Sequence, residues 1–332
     1  MALCIEILTR SEQLATLRPE WHALWRRVAS STPFQSPAWL LPWWRRFGNG
    51  RLRTLVVRDQ DRLLAVLPLF HDTSGVLRFV GHGDANIQHA LVAPEAEAAL
   101  PTLVRDALAH LPDEWTACEL LGLPEDSWLL RDPSMLPPGL PSDLDVEPVG
   151  AIGILELGPG GLTDGPQQEF ETAQEIARTE RNLRIVGLDD TNRDRLLSLT
   201  LHPDRVRWAS AVEGRMYATP EQRAFHHEVA AGFAALGALR LYVVYLVDRP
   251  VAVHYGFVAN GQGFAYATLV DRHFAYYRPD MLALGHAVNA AAGDGARRFQ
   301  ILHPIPDCIR GWGVQERRTC RVVLRRRTVA AA

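Results

Sequence analysis

Residues 239–304 leave the fewest choices of fold, because they spell strand, turn, strand, turn, strand, break, helix, strand. Residues 241–247 are a β-branched and aromatic run stopped by Asp248-Arg249-Pro250. Residues 251–258 alternate, with Val251, Val253, Tyr255 and Phe257 on one face and Ala252, His254, Gly256 and Val258 on the other. Asn260-Gly261-Gln262-Gly263 supplies the positive-φ residues of a hairpin turn, and 264–270 resumes the strand. Arg278-Pro279-Asp280 then opens a helix that ends at Asp294-Gly295. Residues 298–302 return as a buried strand, which makes the helix a crossover between two strands of one sheet.

At 332 residues the chain suits two α/β domains. Residues 1–130 read as a mixed domain. Its expected helices lie at 20–29, 38–47 and 96–110, and its expected strands at 52–58, 63–70, 77–80 and 89–92. Residues 131–150 hold five prolines and no periodicity, as a linker does. A second domain follows over 151–332, with a strand at 152–157 and helices at 167–183 and 226–236.

The net charge of −3 does not point to a nucleic-acid or membrane-surface role. No apolar run approaches the roughly 20 residues needed to span a bilayer, and residues 1–10 lack the pattern of a signal peptide, so a cytoplasmic protein is expected. Cys4, Cys118, Cys308 and Cys320 have no metal-like spacing and read as reduced thiols. There is no lysine anywhere in the chain. That excludes a lysine Schiff base, a Walker-type phosphate loop and a lysine general base, and leaves anions to arginine or backbone amides.

The element order, with Arg249-Pro250-Val251-Ala252, Gly256-Phe257, Gly295-Ala296-Arg297-Arg298-Phe299 and Trp312-Gly313, resembles the CelD-like branch of the GNAT acyltransferases. In the N-terminal half, Trp21-His22-Ala23-Leu24, the run from Thr32 through Pro37 to Trp39, and Leu64-Ala65-Val66-Leu67-Pro68-Leu69 resemble the same family in the expected order. The resemblance implies a mixed α/β, tandem GNAT-like fold with one GNAT-like unit in each half. It implies transfer of an acyl group, without metal, from acetyl-CoA or another acyl-CoA to an amine of a small molecule or saccharide. Two alternatives share the fold: an aminoacyl-tRNA-dependent transferase of the FemABX type, the one case in which nucleic acid would be a partner, and a catalytically degenerate binding or scaffold protein. No membrane insertion is implied.

Carried onto this sequence, the resemblance places the donor's thioester carbonyl at backbone amides of Thr268, Leu269 and Val270, and its phosphates at Tyr277, Arg278 and Asp280. Asp280 stands where the family has glycine. Gln300, Cys308 and Ile309 stand where the family has aspartate, tyrosine and lysine. For proton transfer the candidates are His254, mid-strand, and His303, at the end of a buried strand, with Asp307 in the loop after it. Cys308 is a nucleophile or an inert thiol. In the first half, His82, Asp84, Asn86 and His89 crowd into one glycine-containing loop, which is either a turn network or an acceptor site. Arg207 beside Trp208 is a second substrate candidate, since arginine next to tryptophan can stack and hold an anion. Arg178, Arg181 and Arg184 are expected on one solvated helix face.

Overall fold

Turn residues and apolar alternation set the strands and helices of the computed structural model, which describes residues 3–99, 102, 111, 115–127, 130, 142–189, 191–210, 213–302 and 305–326. By its contacts the chain divides into two units, Met1–Gly150 with Arg318–Ala332, and Ala151–Arg317. The elements of the first half are β1 (Leu3–Leu8), α1 (Ser11–Arg27), α2 (Pro37–Phe47), β2 (Arg51–Leu52), β3 (Thr54–Asp59), β4 (Arg62–Leu67), β5 (Leu69–His71), β6 (Val76–Phe79), β7 (Leu91–Val92) and β8 (Ala117–Pro124). Then come β9 (Ser142–Glu156), α3 (Asp164–Arg181), β10 (Arg184–Gly187), α4 (Arg193–Thr200), α5 (Pro220–Ala235), β11 (Leu239–Leu246), β12 (Arg249–Ala259), β13 (Gln262–Val270), α6 (Pro279–Gly293), β14 (Arg298–Ile301) and β15 (Gln315–Arg326).

In the first unit β1-β3-β4-β7 form one antiparallel sheet, while β15, β8, β6, β5 and β2 lie side by side in another. The expected single strand over 63–70 is two strands, β4 and β5, in different sheets. Pro68 separates them, having no N–H to donate to a ladder. Of the expected linker, residues 142–150 are strand β9, and 131–141 lie outside the described residues. Most of the expected helix over 96–110 lies outside them too. Residues 318–326, expected with the second domain, pair as β15 with β8 and group with the first unit.

The second unit carries the strand order β10-β11-β12-β13-β14-β9. The core foreseen from sequence is present, with the Asn260-Gly261 turn in positive φ at both residues and the crossover α6 between the parallel pair β13 and β14. Thr219 Oγ1 caps α5 by accepting the Gln222 amide, with Pro220 at the first helical position, so that helix starts well before residue 226. Asn182, in left-handed conformation, ends α3 before residue 184. Arg184 is therefore a strand residue paired with Asp248, not part of a helical stripe. One face of the sheet packs against α3 and α6 in a core that includes Phe170, Tyr242, Val244, Ala252, Leu282, Val288 and Phe299. The other meets α5, where Phe233 lies 4.5 Å from Phe257 and His226 packs on Tyr255 and Tyr266.

Candidate active site

The site is prepared by a fault in one ladder. Tyr255 pairs with Ala267 but Gly256 with Ala265, so Tyr266 is an extra residue on β13, a bulge that bends and twists the strand. On its other side β13 pairs with β14 only from Gln262 to Ala265, closed by the Leu302 amide donating to the Ala265 carbonyl. Among the described residues, Ala267 to Val270 of β13 run on past the last β14 pair. Gly256 is required here, because a Cβ would stand 2.3 Å from the Phe264 carbonyl oxygen.

Thr268 lies within this stretch. Its backbone N–H donates to Glu213 Oε1 at 3.3 Å, and its hydroxyl is joined to Nδ1 of His254 at 2.9 Å. Glu213 is set by a reciprocal cap in which its Oε2 accepts the Ser210 amide and its own amide donates to Ser210 Oγ. It opens the 3₁₀ segment Glu213–Tyr217, whose Tyr217 hydroxyl donates to the Thr200 carbonyl at 2.7 Å. His254 is buried, 1% exposed, and stacks on Tyr242. Burial, with a smaller effect of His286, pushes it down to about 3, so the ring is neutral at neutral pH.

Past β13, Asp271 organises the turn into the crossover helix. Its carboxylate accepts the His273 amide and pairs with the His273 ring at 2.8 Å and with Arg249 at 3.1 Å. Arg278, in left-handed conformation, precedes α6. There Asp280 Oδ1 accepts the Met281 amide at 2.9 Å. The Cys308 thiol is hydrogen-bonded to Asp280, and burial followed by that carboxylate pushes the thiol far up, so it stays protonated and unreactive.

These contacts bear on an acyl-CoA donor. A helix N-terminus is a phosphate site when its amides are open. At α6 the Met281 amide is already taken by a carboxylate of the chain itself. Two like charges 4 Å apart near a protein surface repel by about 4 kcal/mol, while a hydrogen bond to a charged group returns about 1.5–3 kcal/mol. As it stands, this helix start does not fit a pyrophosphate. Arg278, just before the helix, meets Glu169 at 3.9 Å.

The other expected site residues are distributed as follows. Leu269 is buried and Val270 half-buried in β13, and the Tyr277 hydroxyl donates to Glu180 under the Arg181 guanidinium. Asp307 is exposed and pairs with Arg310, and His303 lies outside the described residues. Arg207 is exposed beside Asp204, and the cation on the Trp208 ring is instead Arg205, at 4.0 Å. In the first unit the His82 ring meets Arg78 at 2.7 Å, Asp84 accepts from the Trp43 indole, and His89 meets Gln35 at 2.9 Å. Asn86 lies with its backbone against Gly122. Those contacts tie the loop to β6, to α2 and to the 3₁₀ turn that precedes α2 in that unit.

Glu213 and Arg205 were not foreseen. The Ser210-x-x-Glu213 capping box was the readable signal for the first, although it announces only a helix start. A cavity of about 360 Å³ lined by Arg193, Arg240, Tyr242 and Asp294 sits at the C-terminal end of α6. It lies a helix length from Asp280, about 20 Å at 1.5 Å per residue, and shares Tyr242 with the surroundings of His254. Among the described residues no three His, Cys, Asp or Glu side chains gather as metal ligands, and no helix is long and apolar enough to cross a membrane.

Residues 171–306 match the family model described as Acetyltransferase (GNAT) domain. Among curated proteins none matches the sequence. Among solved structures the chain is similar to FemX, at 9% identity and TM-score 0.62, with 97% of each chain covered. It is similar to the C-terminal domain of a putative lysylphosphatidylglycerol synthetase from Agrobacterium fabrum, at 9% identity and TM-score 0.59, covering 93% of this chain and 92% of that one. A tandem GNAT protein from the clavulanic acid biosynthesis pathway matches at 13% identity and TM-score 0.51, covering 96% and 98%. The chain has a mixed α/β, tandem GNAT-like fold.

Proposed function

We propose that the second unit transfers an acyl group from an activated thioester or ester to an amine, by direct attack, along the free edge of β13. The observation that carries this is the run from Ala267 to Val270 beyond the last β14 pair of the described residues, with the Thr268 amide bonded to a side chain instead of a strand. A donor whose arm lies along that edge adds to the sheet as a strand would, and its carbonyl accepts the Thr268 N–H. Glu213 then releases that amide and its carboxylate takes a proton from the incoming ammonium. The amine nitrogen forms a bond to the acyl carbon, the carbon–sulfur or carbon–oxygen bond breaks, and the leaving thiolate or alkoxide takes up the proton that the new amide nitrogen sheds. His254, neutral and bonded to the Thr268 hydroxyl, positions that residue.

The resemblance to GNAT acyltransferases, its CelD-like branch in particular, names acetyl-CoA or another acyl-CoA as donor. The carboxylate on the Met281 amide favours a second reading, a donor held by its acyl arm without a pyrophosphate at α6, as an aminoacyl ester on tRNA would be. The fold shared with FemX supports that reading. Titration calorimetry with acetyl-CoA, on the full chain and on Asp280→Gly, separates the two. Micromolar binding to the unaltered chain supports acyl-CoA. Binding only to Asp280→Gly shows the phosphate site closed by that carboxylate and moves the donor to an ester.

A further inference from the structure

Arg205 Nε donates to the Leu199 carbonyl at 3.0 Å, and the Tyr217 hydroxyl donates to the next carbonyl, that of Thr200, at 2.7 Å. Guanidinium and phenol therefore stand side by side at the C-terminal end of α4. Glu213 lies one turn upstream of Tyr217, in the same 3₁₀ segment. The Tyr217 phenol, pushed up mainly by burial, feels Glu213 and Arg205 as opposing charges. Yet Arg205 and Glu213 form no ion pair. The carboxylate is bonded to the amides of Thr268 and Ser210, and Arg205 lies over the Trp208 ring.

Arg205 is half-buried and in no ion pair among the described residues, and burial lowers its pKa, with the Asp204 carboxylate acting against that only through space. Two more buried polar groups belong to the surroundings of Tyr217. The Tyr255 hydroxyl and Thr200 Oγ1 belong to residues 1% exposed, and neither has a hydrogen-bond partner. Tyr255 lies within electrostatic reach of Tyr217, and Thr200 carries the carbonyl that Tyr217 binds. A buried donor or acceptor left open in this way is the mark of a missing ligand or water.

We infer that the acceptor is an amino-carboxylate of the amino-acid class, its ammonium at Glu213 beside the Thr268 amide and its carboxylate on Arg205. This rests on the transferase reading above and narrows its acceptor. A guanidinium is the side chain suited to grip a carboxylate in a two-pronged bond. Glu213 meets the amine where the acyl carbonyl arrives. A simple amine or an amino sugar would leave Arg205 unused.

The test is binding to the full chain, by calorimetry and thermal shift, of the twenty L-amino acids, β-alanine and 4-aminobutyrate. Each is compared with its carboxamide and its N-acetyl derivative. At least one free amino acid is expected to bind, with both derivatives weaker by about 10- to 100-fold. Arg205→Gln is expected to weaken the free acid by a similar factor and leave the carboxamide unchanged, and Arg205→Lys to fall between. The inference is overturned if no amino-carboxylate binds, or if a carboxamide binds as tightly as its acid. Because no donor is present, the two readings fail separately. An amino acid that binds and is never acylated removes the transferase reading, whereas an amine without a carboxylate, acylated as fast as any amino acid, removes this inference.

Discussion

The carboxylate of Glu213 accepts the backbone N–H of Thr268, 55 residues further along the chain, at the point where β13 has left β14 behind. A side chain thus holds the place of a strand. Replacing that carboxylate separates its chemistry from its support of the fold. Glu213→Gln keeps an acceptor for the amide and is expected to leave the melting temperature within about 2 °C while lowering kcat by about 100-fold, the scale of a lost proton acceptor. Glu213→Ala also removes the cap with Ser210 and is expected to cost about 1 kcal/mol in urea unfolding.

The buried histidines give the second unit a pH dependence of definite sign. Burial holds His254 and His226 at about 3 when folded, against about 6.5 unfolded. The unfolded chain therefore binds more protons between those values. Stability is full above about pH 6.5 and falls as the pH drops, by up to about 1.4 kcal/mol per pH unit for each histidine. Urea midpoints measured from pH 7.5 to 5 are expected to decline, and His254→Gln to flatten the slope.

The first unit has its own acid limit, at Asp72. Burial alone would raise its carboxyl, but bonds from Ser74, the Val76 amide and Arg78 hold it down to about 2. Its contribution is present above the unfolded value near 4 and is lost as the pH falls toward 2. Asp72→Asn is expected to cost about 1–2 kcal/mol at pH 7 and almost nothing near pH 2, as read from thermal unfolding across that range.

Backbone geometry supplies two predictions of opposite direction. Gly256→Ala would press a methyl onto the Phe264 carbonyl and the His254 ring, and is expected to destabilise by about 1–3 kcal/mol. Val247 turns the β11–β12 hairpin at φ 47°, a conformation unfavourable to a β-branched side chain. Val247→Asn is expected to stabilise by about 1 kcal/mol. Equilibrium unfolding in urea measures both.

The core from 239 to 302 was legible because its punctuation is local: Asn260-Gly261 for a turn, Pro279 and Asp280 for a helix start, Gly295 for its end. The Val247-Asp248 turn hid behind a residue that rarely adopts positive φ. The division at Pro68 depended on which sheet each strand joins, a tertiary fact. The site was less legible for the same reason. His254 and Thr268 were both named from sequence, and their bond to each other follows from strand register. Glu213 and Arg205 reach their places through a 3₁₀ connection without apolar periodicity, and nothing near them in sequence announces Thr268 or Tyr217.

The most direct test is turnover. The full chain and Glu213→Gln are incubated with a pool of amines that includes the L-amino acids, once with acetyl-CoA and once with total aminoacyl-tRNA, and N-acylated products are read by mass spectrometry. The account predicts an N-acylated amine with one of the two donors, at least about 100-fold less abundant with Glu213→Gln. No N-acylated product with either donor, or a product formed equally by Glu213→Gln, would contradict it.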